Sequence, residues 1–160
     1  MSNRTKAYLI AVVSVLILIV LIIIKPVNLP TEYSVIRVVD GDTLIVSIDG
    51  KDETVRLIGI DAPESVHPDT SRNSELGMRS AEYAKELLEG QKVRIELDAQ
   101  ERDRYGRLLA YVYLGDVMVN VQMVEAGMAV VATYPPNVRF TERFVEAERR
   151  AREKGVGLWE

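Results

Sequence analysis

The stretch Tyr33 to Ile60, YSVIRVVDGDTLIVSIDGKDETVRLIGI, decides the fold. Tyr33–Val39 and Thr43–Ile48 are β-branched and largely alternate apolar with polar residues, the period-2 pattern of half-buried strands. Asp40-Gly41-Asp42 between them is a hairpin signal, since Asp-Gly suits the backbone of a tight turn. Asp49-Gly50 turns the chain again into Glu53–Ile60, so three strands follow in meander order. In the third, Arg56 sits between Val55 and Leu57, and alternation turns it away from their side of the sheet.

Downstream, Ser74–Glu89 has helical spacing, with Leu76, Ala81, Ala84, Leu87 and Leu88 near one face and Gly90 as its stop. Lys92–Leu97 and Leu108–Leu114 read as two more strands. Asn120 is expected to cap a short helix ending at Gly127, and Thr141 a charged helix running to about Lys154 before Gly155. Glu142, Glu146, Glu148 and Glu153 interleave with the cations of that last helix, the pattern of a solvated face. Met118, Met123 and Met128 read as core filling. Five strands, one helix after the third and two helices at the end predict a mainly β chain with α: a small closed Greek-key barrel of the OB type.

Upstream, Ala7–Ile24 is apolar apart from Ser14 and the Tyr8 hydroxyl. As a helix this run is about 27 Å long, close to the ~30 Å hydrocarbon core of a bilayer. Arg4 and Lys6 precede it, which puts the N-terminus in the cytoplasm. The expected organisation is a cytoplasmic segment 1–6, a transmembrane helix or uncleaved signal anchor 7–24, a stalk 25–31, and an extracytoplasmic domain 32–160. The alternative is a cleaved signal peptide and a secreted domain, but 25–30 offers no Ala-x-Ala site and the run exceeds an ordinary signal core.

Of the 160 residues, 20 are Lys or Arg, 24 Asp or Glu, one is His and none is Cys. Thiol nucleophiles, disulfides and thiolate zinc sites are excluded, and any His-centred triad depends on His67, which reads as a loop residue. The net charge of −4 becomes −7 once the acid-free first 30 residues are set aside, which argues against a broad basic binding face.

Chemistry must come from carboxylates, arginines and hydroxyls. Asp40, Asp42, Asp61 and Glu64 lie at strand ends, and a cluster of like charges calls for a hard cation such as Ca²⁺. Equally, Asp40 and Asp42 can serve a turn alone. Arg56 and Arg107 can fork a phosphate from two sides, or each can pair with an acid.

Taken in order, Val39-Asp-Gly-Asp-Thr43, Val55-Arg-Leu-Ile-Gly-Ile-Asp-Ala-Pro-Glu64, Asp103-Arg-Tyr-Gly-Arg107, Val119-Asn120 and Gly157-Leu-Trp159 resemble the staphylococcal nuclease (thermonuclease) family from about Tyr33 to Trp159. The resemblance implies an OB-fold, Ca²⁺-dependent phosphodiesterase that cuts DNA and RNA with little sequence preference and leaves 3′-phosphate ends. It implies Asp42, Asp61 and the backbone carbonyl of Ala62 as metal ligands, with Asp40 just behind them. It implies Arg56 and Arg107 as phosphate clamps and Glu64 as the residue that orients or deprotonates the attacking water. Arg104 and Tyr105 match residues receiving a terminal phosphate, and Tyr134 an aromatic of the nucleotide pocket. The chain departs from the family at Ala62, where Thr is usual, and at Ala132, where a second pocket tyrosine is expected. Pro135-Pro136 falls where the family often has a cis bond. A monomer without an obligate protein partner is expected. The competing readings are a noncatalytic nucleic-acid or peptide-binding barrel and an anchored structural or metal-binding module; the joint presence of the acids and arginines favours the enzyme.

Overall fold

In the computed structural model, which describes residues 13–14, 31–65 and 74–160, the meander forms as β1 (Glu32–Asp40), β2 (Thr43–Ile48) and β3 (Lys51–Leu57). Asp40 pairs with Thr43 across the first turn and Thr43 with Arg56 across β2–β3, so the register itself carries Arg56 to the Asp40–Asp42 end. Gly41 serves that turn through packing, not through backbone freedom. A Cβ there would stand 2.0 Å from Ser80 Oγ and 2.8 Å from Ala62 Cβ.

The expected third strand, Glu53–Ile60, is divided in two. The chain turns at Gly59 (φ 80°), and Ile60–Asp61 becomes β4, paired with a strand that periodicity does not reveal. β5 (Lys92–Glu96) lies antiparallel to β1, and β6 (Leu108–Leu114) antiparallel to β5. β6 then pairs in parallel with β3, Arg56 opposite Leu109, and this closes the five-stranded barrel β3-β2-β1-β5-β6. β7 (Val117–Met118) folds back on β6, while β8 (Val130–Val131) is the partner of β4. Val35, Val46, Val55, Val93, Tyr111 and Val112 fill the interior, each such side chain contributing about 1.5–3 kcal/mol by burial.

Helix α1 (Glu75–Leu88) starts at Ser74, whose hydroxyl accepts the Gly77 N–H at 2.9 Å, and buries Ala81, Ala84 and Leu88. Helix α2 (Val119–Glu125) corrects an expectation, because Asn120 is not its cap but lies inside it, fully buried. Its Oδ1 accepts from Val112 N–H at 2.9 Å and its Nδ2 donates to the carbonyls of Ile58 at 2.9 Å and Ala110 at 3.2 Å. Buried backbone groups at the barrel seam need partners, and the Asn120 amide supplies them. Helix α3 (Thr141–Lys154) is likewise entered through Phe140, with Thr141 in the first turn and its hydroxyl donating to Val138 O at 3.0 Å. It buries Phe144, Ala147 and Ala151, and its outer face is the expected lattice of Arg–Glu pairs. Met118 and Met123 are core residues, and Met128 packs against the core's edge.

Apart from 13–14, the run 7–24 expected to span a membrane lies outside the described residues, as does His67. Among the described residues no helix is long and apolar enough to cross a bilayer. Asn120→Ala strips the seam of its side-chain partners, and the unfolding free energy should fall by about 2–5 kcal/mol. Urea unfolding followed by Trp159 fluorescence measures this. A loss below about 1 kcal/mol would mean the seam is satisfied without Asn120.

Candidate active site

Asp42 leaves the β1–β2 turn pointing inward and is only 7% exposed. Three elements supply its partners. Thr43 Oγ donates to Oδ1 at 2.9 Å, the Ala62 N–H to Oδ2 at 2.8 Å, and Arg56 Nη2 stands 3.0 Å from the same Oδ2. Burial pushes its pKa above the ordinary carboxylate value, against the lowering effects of Arg56, the Ala62 N–H and Thr43.

Arg56 reaches this acid because β3 places it opposite Thr43. Its Nη2 also binds Asp61 Oδ1 at 2.7 Å, and its Nη1 donates to the carbonyls of Leu57 at 2.9 Å and Ile60 at 2.8 Å. Two carboxylates therefore share one guanidinium nitrogen. Asp61 is held there by the β4–β8 pairing, yet its side chain is half exposed. Glu64 follows two residues beyond Ala62, and α1 fixes its backbone. The Ser74 N–H donates to Glu64 O at 3.2 Å, and a Cβ on Gly77 would fall 2.0 Å from that oxygen. Asp40 accepts the Gly41 N–H at 2.9 Å and the Ser65 hydroxyl at 2.8 Å.

Arg107 enters from the loop before β6. Asp103 Oδ2 takes its Nε–H at 2.7 Å, while Asp103 Oδ1 takes the backbone N–H groups of Tyr105 at 2.9 Å and Arg107 at 3.0 Å. Burial pushes the Asp103 carboxyl up, but these hydrogen bonds outweigh it and hold the group below its usual range. Arg104 Nη2 donates to Tyr105 OH at 2.6 Å, and the guanidinium groups of Arg104 and Arg107 stand 4.7 and 5.5 Å from the Tyr105 ring centre. Tyr134 is 70% exposed and precedes the cis Pro135–Pro136 bond.

These side chains line two adjoining clefts. One, of about 440 Å³, holds Asp40, Asp42, Asp61, Ala62 and Glu64; the other, of about 590 Å³, holds Arg104, Tyr105 and Tyr134. Arg56 and Arg107 line both. The structure thus brings every predicted site residue to the walls of two clefts that share Arg56 and Arg107. It does not gather the acids into a ready set: among the described residues no three acidic or His side chains stand together as ligands. Asp42 and Asp61 supply two oxygen donors that share the Arg56 cation, the donor type that suits a hard cation. Sequence reasoning missed the residues that aim the site: Asp103 behind Arg107, Ser65 beside Asp40, and Gly77 behind Glu64. Asp103-x-Tyr105-x-Arg107 could have been read as an Asx turn, the one local signal among them.

A closed barrel presenting carboxylates and guanidinium groups in one cleft defines an OB-type domain built to handle a phosphate ester. The comparisons carry this to a family. The staphylococcal nuclease homologue family matches residues 54–160, and the chain belongs to that family. It is similar to the thermonuclease of Staphylococcus intermedius, 44% identical over 129 residues that cover 81% of this chain and 76% of that protein. The thermonuclease of Staphylococcus hyicus is 45% identical over 127 residues, 79% of this chain and 75% of that one. The SPbeta prophage-derived endonuclease YokF of Bacillus subtilis (strain 168) is 38% identical over 125 residues, 77% of this chain and 42% of its own length. The chain is accordingly a nuclease, a phosphodiester hydrolase.

An acid whose pKa is higher in the folded than in the unfolded state is destabilising when ionised. Its cost is present at neutral pH and is relieved as pH falls through the folded value. Asp42 is such a group. Asn at 42 can still accept from Ala62 and Arg56 while Thr43 turns to accept in its place. Asp42→Asn should therefore raise the melting temperature of the metal-free protein at pH 7. An unchanged or lower value in calorimetry would mean that Arg56 already outweighs the burial.

Proposed function

We propose that the domain is a Ca²⁺-dependent nuclease that hydrolyses DNA and RNA without regard to the sugar, leaves 3′-phosphate ends and acts as a monomer. The observation that carries this reading is the shared wall: Arg56 and Arg107 face both the acidic cleft and the tyrosine-lined cleft. A phosphodiester lying across that wall meets cations from two strands, with carboxylates on one side and an aromatic rest for a base on the other.

Asp42, Asp61 and the Ala62 carbonyl would hold the ion, which when bound supplies positive charge next to the scissile phosphate. The chain's own groups do the remaining work. Glu64 accepts the proton of the attacking water or holds that water in line with phosphorus. Arg107, fixed through Nε by Asp103, offers its Nη groups to phosphate oxygens and to the charge that builds on them. Arg56 must release an acceptor to do the same, and half-exposed Asp61, for which water already competes, is the one that yields. Arg104 and Tyr105 bind a neighbouring or terminal phosphate, and Tyr134 stacks a base. With Ala132 in place of a second aromatic, that stacking is one-sided.

Cleavage of single-stranded DNA and of RNA should appear with Ca²⁺ and vanish with EDTA. Glu64→Ala and Arg107→Ala should each lower kcat by about 100-fold or more. No Ca²⁺-dependent cleavage by folded wild-type protein rejects the reading.

We further propose that 7–24 anchors the chain in the cell membrane, N-terminus in the cytoplasm and domain outside. The length and apolarity of that run support this. The full-length protein should then sediment with membranes and resist carbonate extraction; recovery solely as a shortened soluble form rules the anchor out in favour of secretion after cleavage.

A further inference from the structure

Residues 61–65 are fastened to the Asp40-Gly41-Asp42 turn at two points. On one side the Ala62 N–H donates to Asp42 Oδ2 at 2.8 Å. On the other the Ser65 hydroxyl donates to Asp40 Oδ1 at 2.8 Å, and the same oxygen accepts the Gly41 N–H at 2.9 Å. Only Pro63 and Glu64 lie between the fastenings, and the pyrrolidine ring removes one of the backbone rotations left to them. The contact of α1 with the Glu64 carbonyl, through the Ser74 N–H and the Cα of Gly77, restrains the segment from a third direction.

The two aspartates of the turn divide the work. Asp42 faces Arg56, Thr43 and Ala62, the lining of the acidic cleft. Asp40 makes no ion pair with Arg56 or Arg107 among the described residues; its bonds run to Gly41 and Ser65. Ser65 is 8% exposed, and its hydroxyl has a single proton, which goes to Asp40. A buried hydroxyl–carboxylate bond is charge-assisted, stronger and more directional than a neutral one. It holds the chain immediately after Glu64, while the Asp42 bond holds it two residues before.

We propose that Asp40 and Ser65 are positioning residues for Glu64: Asp40 acts on the reaction through Ser65 and the Glu64 backbone, not by holding Ca²⁺. The proposal rests on the reading of Glu64 as the group that takes or orders the attacking water. Displacing such a group by about 1 Å costs on the order of 100-fold in rate. Breaking the fastening therefore lowers turnover and leaves the ion's ligands in place.

The test uses the full-length protein in mild detergent, with Trp159 fluorescence melting to show that each variant is folded. Ser65→Ala and Asp40→Ala should lower kcat by roughly 10- to 100-fold. KM and the Ca²⁺ dissociation constant from calorimetry should stay within about twofold of wild type. Ser65→Thr, which keeps the hydroxyl, should restore kcat, and the double alanine variant should be no worse than either single one. In Ca²⁺-free protein the Ser74 amide, which donates to Glu64, should exchange with deuterium about tenfold faster in Ser65→Ala. Ca²⁺ affinity falling in step with kcat overturns the proposal by moving Asp40 to the ion. So does an unchanged kcat, or an unchanged Ser74 exchange rate. If the wild type shows no Ca²⁺-dependent cleavage, the functional reading fails, and the exchange measurement still decides whether the pair fastens Glu64.

Discussion

The buried carboxylate of Asp42 is the constraint around which this end of the barrel is built. A charge so withdrawn from water is tolerable only when paired and hydrogen-bonded. Its partners come from the start of β2, from β3 and from the chain leaving β4. Satisfying one side chain therefore pins a turn, a barrel strand and a loop to one point. Burial still wins over those partners in setting its pKa. A hydrophobic residue would hold the same lip together at less cost, so the arrangement makes physical sense as a site that trades stability for an excess of negative charge.

Closure of the barrel does the rest of the assembly. Arg56 and Arg107 are remote in sequence, and the parallel pairing of β3 with β6 makes them neighbours. Parallel pairing needs a long crossover, and α1 with β5 provides it. That same crossover delivers Ser80 against Gly41 and Gly77 against Glu64, so the helix that covers the barrel also fixes the acidic turn and the loop beside it. Ser80 is completely buried, its hydroxyl donating to Met128 O at 2.7 Å. The connection required by topology thus becomes the backing plate of the site.

Periodicity made the five barrel strands and three helices legible, because each is long enough to show an apolar face. β4, β7 and β8 have two residues each and no period to display. Asn120 and Thr141 stand close to where helix caps belong, and neither is one: Thr141 falls one residue late, its hydroxyl donating locally to Val138 O, while Asn120 serves the barrel. A cap is a local argument, whereas Asn120 answers to Ile58 and Val112, groups that only the folded barrel brings near. Gly41 looked like a turn residue and is one, but what forbids a side chain there is Ser80, distant in sequence. The acids and arginines were legible because chemistry restricts residue type. What aims them was not, since a hydroxyl such as Ser65 or a carboxylate such as Asp103 has no distinctive signature until its partner is in view.

The negative net charge, which at first speaks against a nucleic-acid substrate, reads differently once the ion pairs are placed. On α3, Arg149, Arg150 and Arg152 are matched by Glu146, Glu125, Glu148 and Glu153, so these three cations are already engaged by carboxylates. At the clefts Arg104 has a tyrosine for a partner and no carboxylate among the described residues, and Arg107 keeps its Nη groups clear of Asp103. Inside the clefts, low-dielectric walls focus the field of these few groups on whatever lies between them. Such a site leaves the recognition of a phosphate ester to a few directed guanidinium groups instead of a broad basic face.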